Sequence, residues 1–413
     1  MKYIAYIYNY NCIKMIDRII ETSFSSFFKT SKYLIIFSPR KAGATTLLKG
    51  IQGAVLWLDG QEPADRDFLR NATAASIASR IGNSTKVIID QAQLIENIRN
   101  TLDLIADTLP DIQLYAVVTS PYKISVDAFQ NSSGRNADYL LLPLSYEEMC
   151  KHHGEKTEKE SLEMRMIYGY YPEVVSTPGD KGAVLKQLAN NHLYKDILMW
   201  EGIRKPGIFE GLLQLLALQA GQILSNHELG KKLGISGDTI EKYIQLLENA
   251  LIVFRLNGLS GNLKNELTKS SKIYFYDNGI RNAILNQFSP LALRNDTDIL
   301  WKNFVMAERK KFINNHSIVV KSYFWRTKDK AEIGYIEEEN AAISAYEFLF
   351  NPEAKAKFSR SFTETYHPRE MKNIHSGNFQ EWITGSQGNQ PSLTNDNNPG
   401  IEKRNQDISM EFD

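Results

Sequence analysis

Tyr33-Leu-Ile-Ile-Phe-Ser-Pro-Arg-Lys-Ala-Gly-Ala-Thr-Thr-Leu-Leu48 is the stretch that decides the fold. An apolar run from Tyr33 to Phe37 ends in Ser38-Pro39, a turn of small residues follows, and Thr45–Lys49 has helix-like composition. The order is strand, loop, helix. Working outward, Ala54–Leu58, Lys86–Asp90 and Leu114–Thr119 are further short apolar runs, separated by helical stretches such as Ile95–Thr108. That alternation is the pattern of a parallel sheet covered by helices on both faces, so residues 1–145 read as one α/β domain.

The remainder changes character. Residues 146–221 read as a helical extension, with apolar repeats in Ala183–Trp200 and Phe209–Leu218. Residues 222–257 read as a winged helix-turn-helix: Ser225–Leu233, a turn at Gly234-Ile-Ser236, then Asp238–Leu247. Ser236 is placed to cap the second helix, Ile240, Ile244 and Leu247 share its buried face, and Leu251–Leu256 forms the wing. Residues 258–384 form an α+β unit, with strands expected at Lys272–Tyr276, Ser322–Arg326, Glu332–Glu337 and Ile343–Phe348 and a helix at Ile299–Phe312. Residues 385–413 are dominated by Asn, Gln, Gly, Pro, Ser and charge, and read as a disordered tail.

Composition bounds the function. The chain has 413 residues, 43% of them hydrophobic and 23% charged, which is ordinary for a folded protein of two or three domains. Lys+Arg and Asp+Glu are each 48, so no global field gathers nucleic acid or anionic membrane. Two cysteines, Cys12 and Cys150, exclude a disulfide framework and favour a reducing compartment. The start, Met1–Ile13, has no signal-peptide cleavage pattern, and no apolar run is long enough to span a membrane, so a cytoplasmic protein is expected.

A phosphate-binding loop needs glycines that let backbone N–H groups close on phosphate, a lysine for the β/γ charge and a hydroxyl for Mg²⁺, giving GxxxxGK[ST]. Here Gly43 and Thr45 hold the second-glycine and hydroxyl positions, but Ser38 replaces the first glycine and Ala44 the lysine. The partner signature is an apolar strand ending in an acid for Mg²⁺ and then a carboxylate that polarises water. Val87-Ile-Ile-Asp90 supplies the strand and the acid, whereas Gln91 stands at the carboxylate position. An amide can orient water but cannot take its proton.

The sequence resembles the bacterial and archaeal AAA-type ATPases in which a P-loop domain precedes a C-terminal domain of unknown function. The loop of that family reads like GPRRVGKTTLL and its second signature like IIDEAQ, against Ser38–Leu48 and Ile88-Ile-Asp-Gln-Ala-Gln93 here. Further matches are Leu58-Asp-Gly60, Val118-Thr119, Gly134-Arg135, Pro143-Leu-Ser-Tyr146, Tyr168–Val175, Tyr194–Leu198, Leu233-Gly-Ile-Ser236 and Ile273-Tyr-Phe-Tyr-Asp277, spread over residues 15 to 383. Ser120-Pro121 stands where relatives similar to this chain usually have Gly-Ser. The resemblance implies ATP and Mg²⁺ as cofactors: Ser38, Pro39, Arg40, Lys41, Ala42, Gly43, Ala44, Thr45 and Thr46 would form the cradle, Thr45 and Asp90 would hold the metal, and Arg135 is a candidate for transition-state contact. It also implies a C-terminal fold similar to the restriction-endonuclease core. There Glu308, Glu332 and Glu347 would be the acids, with Gly334 in place of an Asp and Leu349 in place of a lysine.

A lost charge-assisted phosphate contact costs about 1.5–3 kcal/mol of binding, whereas a lost catalytic base costs roughly 10²–10⁴ in rate. The expectation is therefore a nucleotide-binding protein with degenerate motifs, little or no hydrolysis, and action through an unnamed protein partner. Two alternatives stay open. One is an active ATPase in which Lys41, or a residue from a partner, substitutes for the missing cation. The other is a DNA-binding winged helix, disfavoured because Lys231, Lys232, Lys242 and Arg255 are matched by Glu228, Asp238, Glu241 and Glu248. Nuclease activity is not expected.

Overall fold

A computed structural model describes residues 15–119, 136–190, 203, 205–259, 266 and 270–385. The expected readings of Met1–Ile13, Ser120-Pro121, Gly134-Arg135, Tyr194–Leu198 and the tail after Gly385 lie outside the described residues.

The first sheet contains β1 (Tyr33–Ser38), β2 (Val55–Asp59), β3 (Lys86–Asp90), β4 (Gln113–Thr119) and β5 (Asn136–Leu140) in the order β2-β3-β4-β1-β5. Every pairing is parallel. The inner strand β1, between β4 and β5, is buried along its length and sends alternate side chains to opposite faces. Tyr33, Ile35 and Phe37 enter the large core, while Leu34 and Ile36 enter a second cluster with Ile88, Tyr115 and Val117. Phe24 and Phe28 of the Phe24–Thr30 helix cover that second face, meeting Tyr115 edge-on with ring centroids 5.7 and 5.0 Å away.

The second sheet has six strands: β6 (Val253–Gly258), β7 (Ser271–Phe275), β8 (Lys321–Arg326), β9 (Glu332–Glu339), β10 (Ala342–Phe348) and β11 (Glu370–Ile374), in the order β11-β10-β9-β8-β6-β7. The strand assigned to a wing is β6, and it is an inner strand of this sheet, antiparallel to β7 and parallel to β8. The two helices read on either side of the Gly234-Ile-Ser236 turn are present. Helices Asn226–Leu233 and Gly237–Asn249 are joined through Gly234, and the Ser236 hydroxyl accepts from the Thr239 N–H at 3.2 Å. Ile240, Ile244 and Leu247 are wholly buried.

The units are joined by buried polar contacts. The Thr297–Asn315 helix gives Glu308, whose carboxylate accepts from the Tyr146 N–H at 2.7 Å, and Lys311, whose ammonium donates to Leu144 O at 2.9 Å. Two family-like motifs meet at Asp277, which accepts from the Tyr170 N–H at 2.6 Å and caps the Asn278–Ile284 helix through the Ile280 N–H. Gly169 must be glycine there: its φ is +69°, and a Cβ would sit 2.1 Å from an Asp277 oxygen. The aligned motifs around Tyr168 and Asp277 thus hold the helical part against the second sheet.

Candidate functional site

The first sheet is open and parallel, and in such sheets ligands sit beyond the C-terminal ends of the strands. Register brings Ser38 at the end of β1 beside Thr119 at the end of β4, and Asp59 of β2 beside Asp90 of β3. The loop leaves β1 through a turn in which the Ala42 N–H donates to Pro39 O at 3.2 Å, with Lys41 exposed and left-handed at φ +66°. Gly43, at φ +104°, then starts the Ala44–Lys49 helix. Among the described residues, the N–H groups of Gly43, Ala44, Thr45 and Thr46 have no protein acceptor, as expected of a helix start that can take an anion.

The metal-side residues fit together. The Thr45 hydroxyl donates to Asp90 Oδ2 at 2.9 Å, and the Gln91 N–H donates to Asp90 Oδ1 at 2.8 Å. Burial raises the Asp90 pKa, partly opposed by these two hydrogen bonds. A hydroxyl and a carboxylate are oxygen donors suited to Mg²⁺. The cation position does not fit a full triphosphate cradle. Ala44 is buried with Leu47 and Leu48 behind β1 and offers only a methyl group, while Lys41 is exposed.

Gln91, held at φ +51°, belongs to a neutral network. Its Oε1 accepts from the Thr119 hydroxyl at 2.7 Å and from Gln93 Nε2 at 2.9 Å, while Gln93 Oε1 accepts from the Thr119 N–H at 3.2 Å. Position 91 is therefore tied to the end of β4 by hydrogen bonds that an amide oxygen satisfies.

Sequence reasoning missed Arg18. Its side chain is 7% exposed, and it donates from Nε to Glu148 at 2.9 Å, from Nη1 to Ala42 O at 3.0 Å and from Nη2 to Leu142 O at 2.7 Å. Pro172, from the Tyr168–Val175 motif, approaches the same loop: its Cγ lies 3.6 Å from where a Cβ on Gly43 would be. A lone arginine in a non-repeating segment gives no sequence signal, and only the fold shows what it reaches.

Residues 30–150 match a family model described as an AAA domain. Over these residues the chain is AAA-type ATPase-like. Two further matches are to domains of unknown function, DUF8612 at residues 159–291 and DUF4143 at residues 298–390. The first of these runs through both the helical extension and the helix-turn-helix. An uncharacterized protein of Mycobacterium tuberculosis is 25% identical over 313 residues, covering 74% of this chain and 67% of its own length. One from Haemophilus influenzae is 27% identical over 161 residues, covering 36% of this chain and 40% of its own. Among solved structures, the Walker-type ATPase of Pyrococcus abyssi is 14% identical with a TM-score of 0.45, covering 66% of this chain and 96% of that one. No helix among the described residues is long and apolar enough to cross a membrane.

Of the acids expected at the C-terminal unit, Glu332 and Glu347 lie near each other and both act on Lys272, whereas Glu308 stands apart from them. Glu308 pairs with Lys311 at 2.7 Å and accepts from the Tyr146 N–H, so it is a joint between units. Arg309 makes two 2.7 Å hydrogen bonds to Glu337. Glu332 is bridged by Lys272 at 2.5 Å and Arg326 at 2.7 Å, and Glu347 accepts from the Gly334 N–H at 2.9 Å. Among the described residues no group of three or more His, Cys, Asp or Glu is placed to hold a metal. On the helix-turn-helix, Arg255 is clamped by Glu241 at 2.8 Å and Glu248 at 3.0 Å, which removes its charge from any phosphate-facing role.

Proposed function

We propose that the chain binds a nucleoside triphosphate with Mg²⁺ at residues 38–46, using Thr45 and Asp90, hydrolyses it slowly or not at all, and acts in the cytoplasm by engaging a protein partner. The observation that carries this reading is the pairing of an intact Thr45–Asp90 contact with a Gln91 amide occupied by Thr119 and Gln93. Bound nucleotide would supply the polyphosphate charge and the metal's remaining ligands. The chain's own part is to offer loop N–H groups and two oxygen donors. Gln91 and Thr119 can hold a water by hydrogen bonds, but neither is a base at neutral pH.

Isothermal titration with Mg-ATP and a phosphate-release assay test the reading. Binding in the micromolar to millimolar range without steady turnover is the expected result; turnover at about 1–10 s⁻¹, an ordinary enzymatic rate, would remove it. Lys41→Ala should leave binding unchanged, because this reading assigns the contacts to loop N–H groups, Thr45 and Asp90.

A further inference from the structure

Arg18 joins three separate pieces of the fold through one buried guanidinium: the phosphate loop at Ala42 O, the chain just after β5 at Leu142 O, and the Tyr146–His153 helix at Glu148. Glu148 is itself fixed, since its side chain is 1% exposed and accepts from the Ile19 N–H at 3.1 Å and the Ser145 N–H at 2.9 Å. The same helix is also contacted by the Thr297–Asn315 helix and by His316, which follows it. Glu308 takes the Tyr146 N–H, and His316 Nε2 lies 2.7 Å from Glu147 Oε2. Consecutive residues Glu147 and Glu148 therefore face two different neighbours, as the roughly 100° step per helical residue requires.

We infer that Arg18 is a positioning residue that ties the phosphate loop to the Tyr146–His153 helix, and that through this helix the state of the loop is transmitted to the Thr297–Asn315 helix of the C-terminal unit. The second half rests on the proposed nucleotide site, while the first half does not. A loop that closes on an anion must move the Ala42 carbonyl or carry Arg18 with it. Arg18 cannot leave Glu148 without stranding a buried carboxylate, which costs more than shifting the pair together. Movement of the loop is thus converted into movement of the helix that Glu148 belongs to, and Glu308 and His316 lie against that helix. The predicted coupling is energetic and reciprocal: what steadies the long helix also steadies the loop.

Hydrogen exchange on the full chain tests both halves, using wild type, Arg18→Lys and Glu148→Gln, each with and without Mg-ATP. Without nucleotide, both substitutions should speed exchange in peptides covering residues 39–46 and 146–153 by about tenfold, the signature of a local opening, while β8 to β10 stay unchanged. No change at 39–46, or an equal acceleration across β8 to β10, would overturn the positioning role. With Mg-ATP, wild type should gain protection at both 39–46 and 297–315, and Glu148→Gln only at 39–46. Protection of the loop without the long helix in wild type would overturn the coupling. If wild type shows no protection anywhere, the nucleotide reading and the transmission built on it fail together, and the apo comparison still decides what Arg18 does.

Discussion

The two sheets treat charge at the sites expected of them in opposite ways. In the first sheet the expected lysine and carboxylate positions hold the neutral side chains of Ala44 and Gln91, beside a helix start at Gly43. In the second the acids stayed, but Glu332 is bridged by Lys272 and Arg326, and Glu347 by the Gly334 N–H. A cradle built from backbone N–H groups survives loss of a side chain because its shape comes from Gly43 and the helix start. A site built from carboxylates depends on their staying free, and here Glu332 is taken up by internal cations and Glu347 by a backbone N–H.

The largest effect should appear where the second sheet depends on buried charge. Glu337→Gln removes the bidentate partner of Arg309 and should cost about 3–5 kcal/mol in urea unfolding, the range for breaking a buried pair. A loss under 1 kcal/mol would mean that these pairs are not structural. Next, Ala44→Lys with Gln91→Glu should raise Mg-ATP affinity by about ten- to a hundredfold, equivalent to ~1.5–3 kcal/mol, whereas Gly334→Asp with Leu349→Lys should create no nuclease. Calorimetry and a plasmid-nicking assay read the two outcomes, and the comparison breaks if they are reversed.

Acid titration separates the two regions by sign. Burial raises the Asp90 pKa, so at neutral pH the folded state bears the cost of a buried charge. Asp90→Asn should be more stable than wild type at pH 7, and the advantage should vanish as pH falls through the raised value. Burial would also raise Glu332, but Lys272 and Arg326 outweigh it and the net direction is down. The stability Glu332 adds is complete above its ordinary pKa and disappears as pH falls through the lowered one, so Glu332→Gln should differ from wild type only above that window. The smallest effect belongs to the helix-turn-helix: Ser236→Ala removes the cap on Thr239 and should cost about 1 kcal/mol.

Much of the fold was legible because strand and helix periods are written in apolar residues. The runs at Tyr33–Phe37, Lys86–Asp90 and Leu114–Thr119 became β1, β3 and β4 with ends shifted by at most a residue. Asn136–Leu140 and Glu370–Ile374 were not legible. Both are edge strands whose outer residues face partly toward solvent, so they lack an apolar run. The loop and Asp90 were readable from local pattern. The partners Arg18, Glu148 and Pro172 were not, since each depends on a contact between segments far apart in the chain. Glu308 was misplaced for the same reason: its helix position was read correctly, but which side of the helix met Tyr146 is a property of packing.

β6 has a consequence for how this chain can be divided. The helix-turn-helix ends in a strand that lies between β7 and β8, so cleavage after residue 257 would split a continuous hydrogen-bonded ladder and leave β8 with a raw border. Neither fragment would carry a finished surface. The two modules are therefore expected to be inherited, expressed and degraded as one piece, and a graft of the helix-turn-helix onto another scaffold would need β7 and β8 to travel with it.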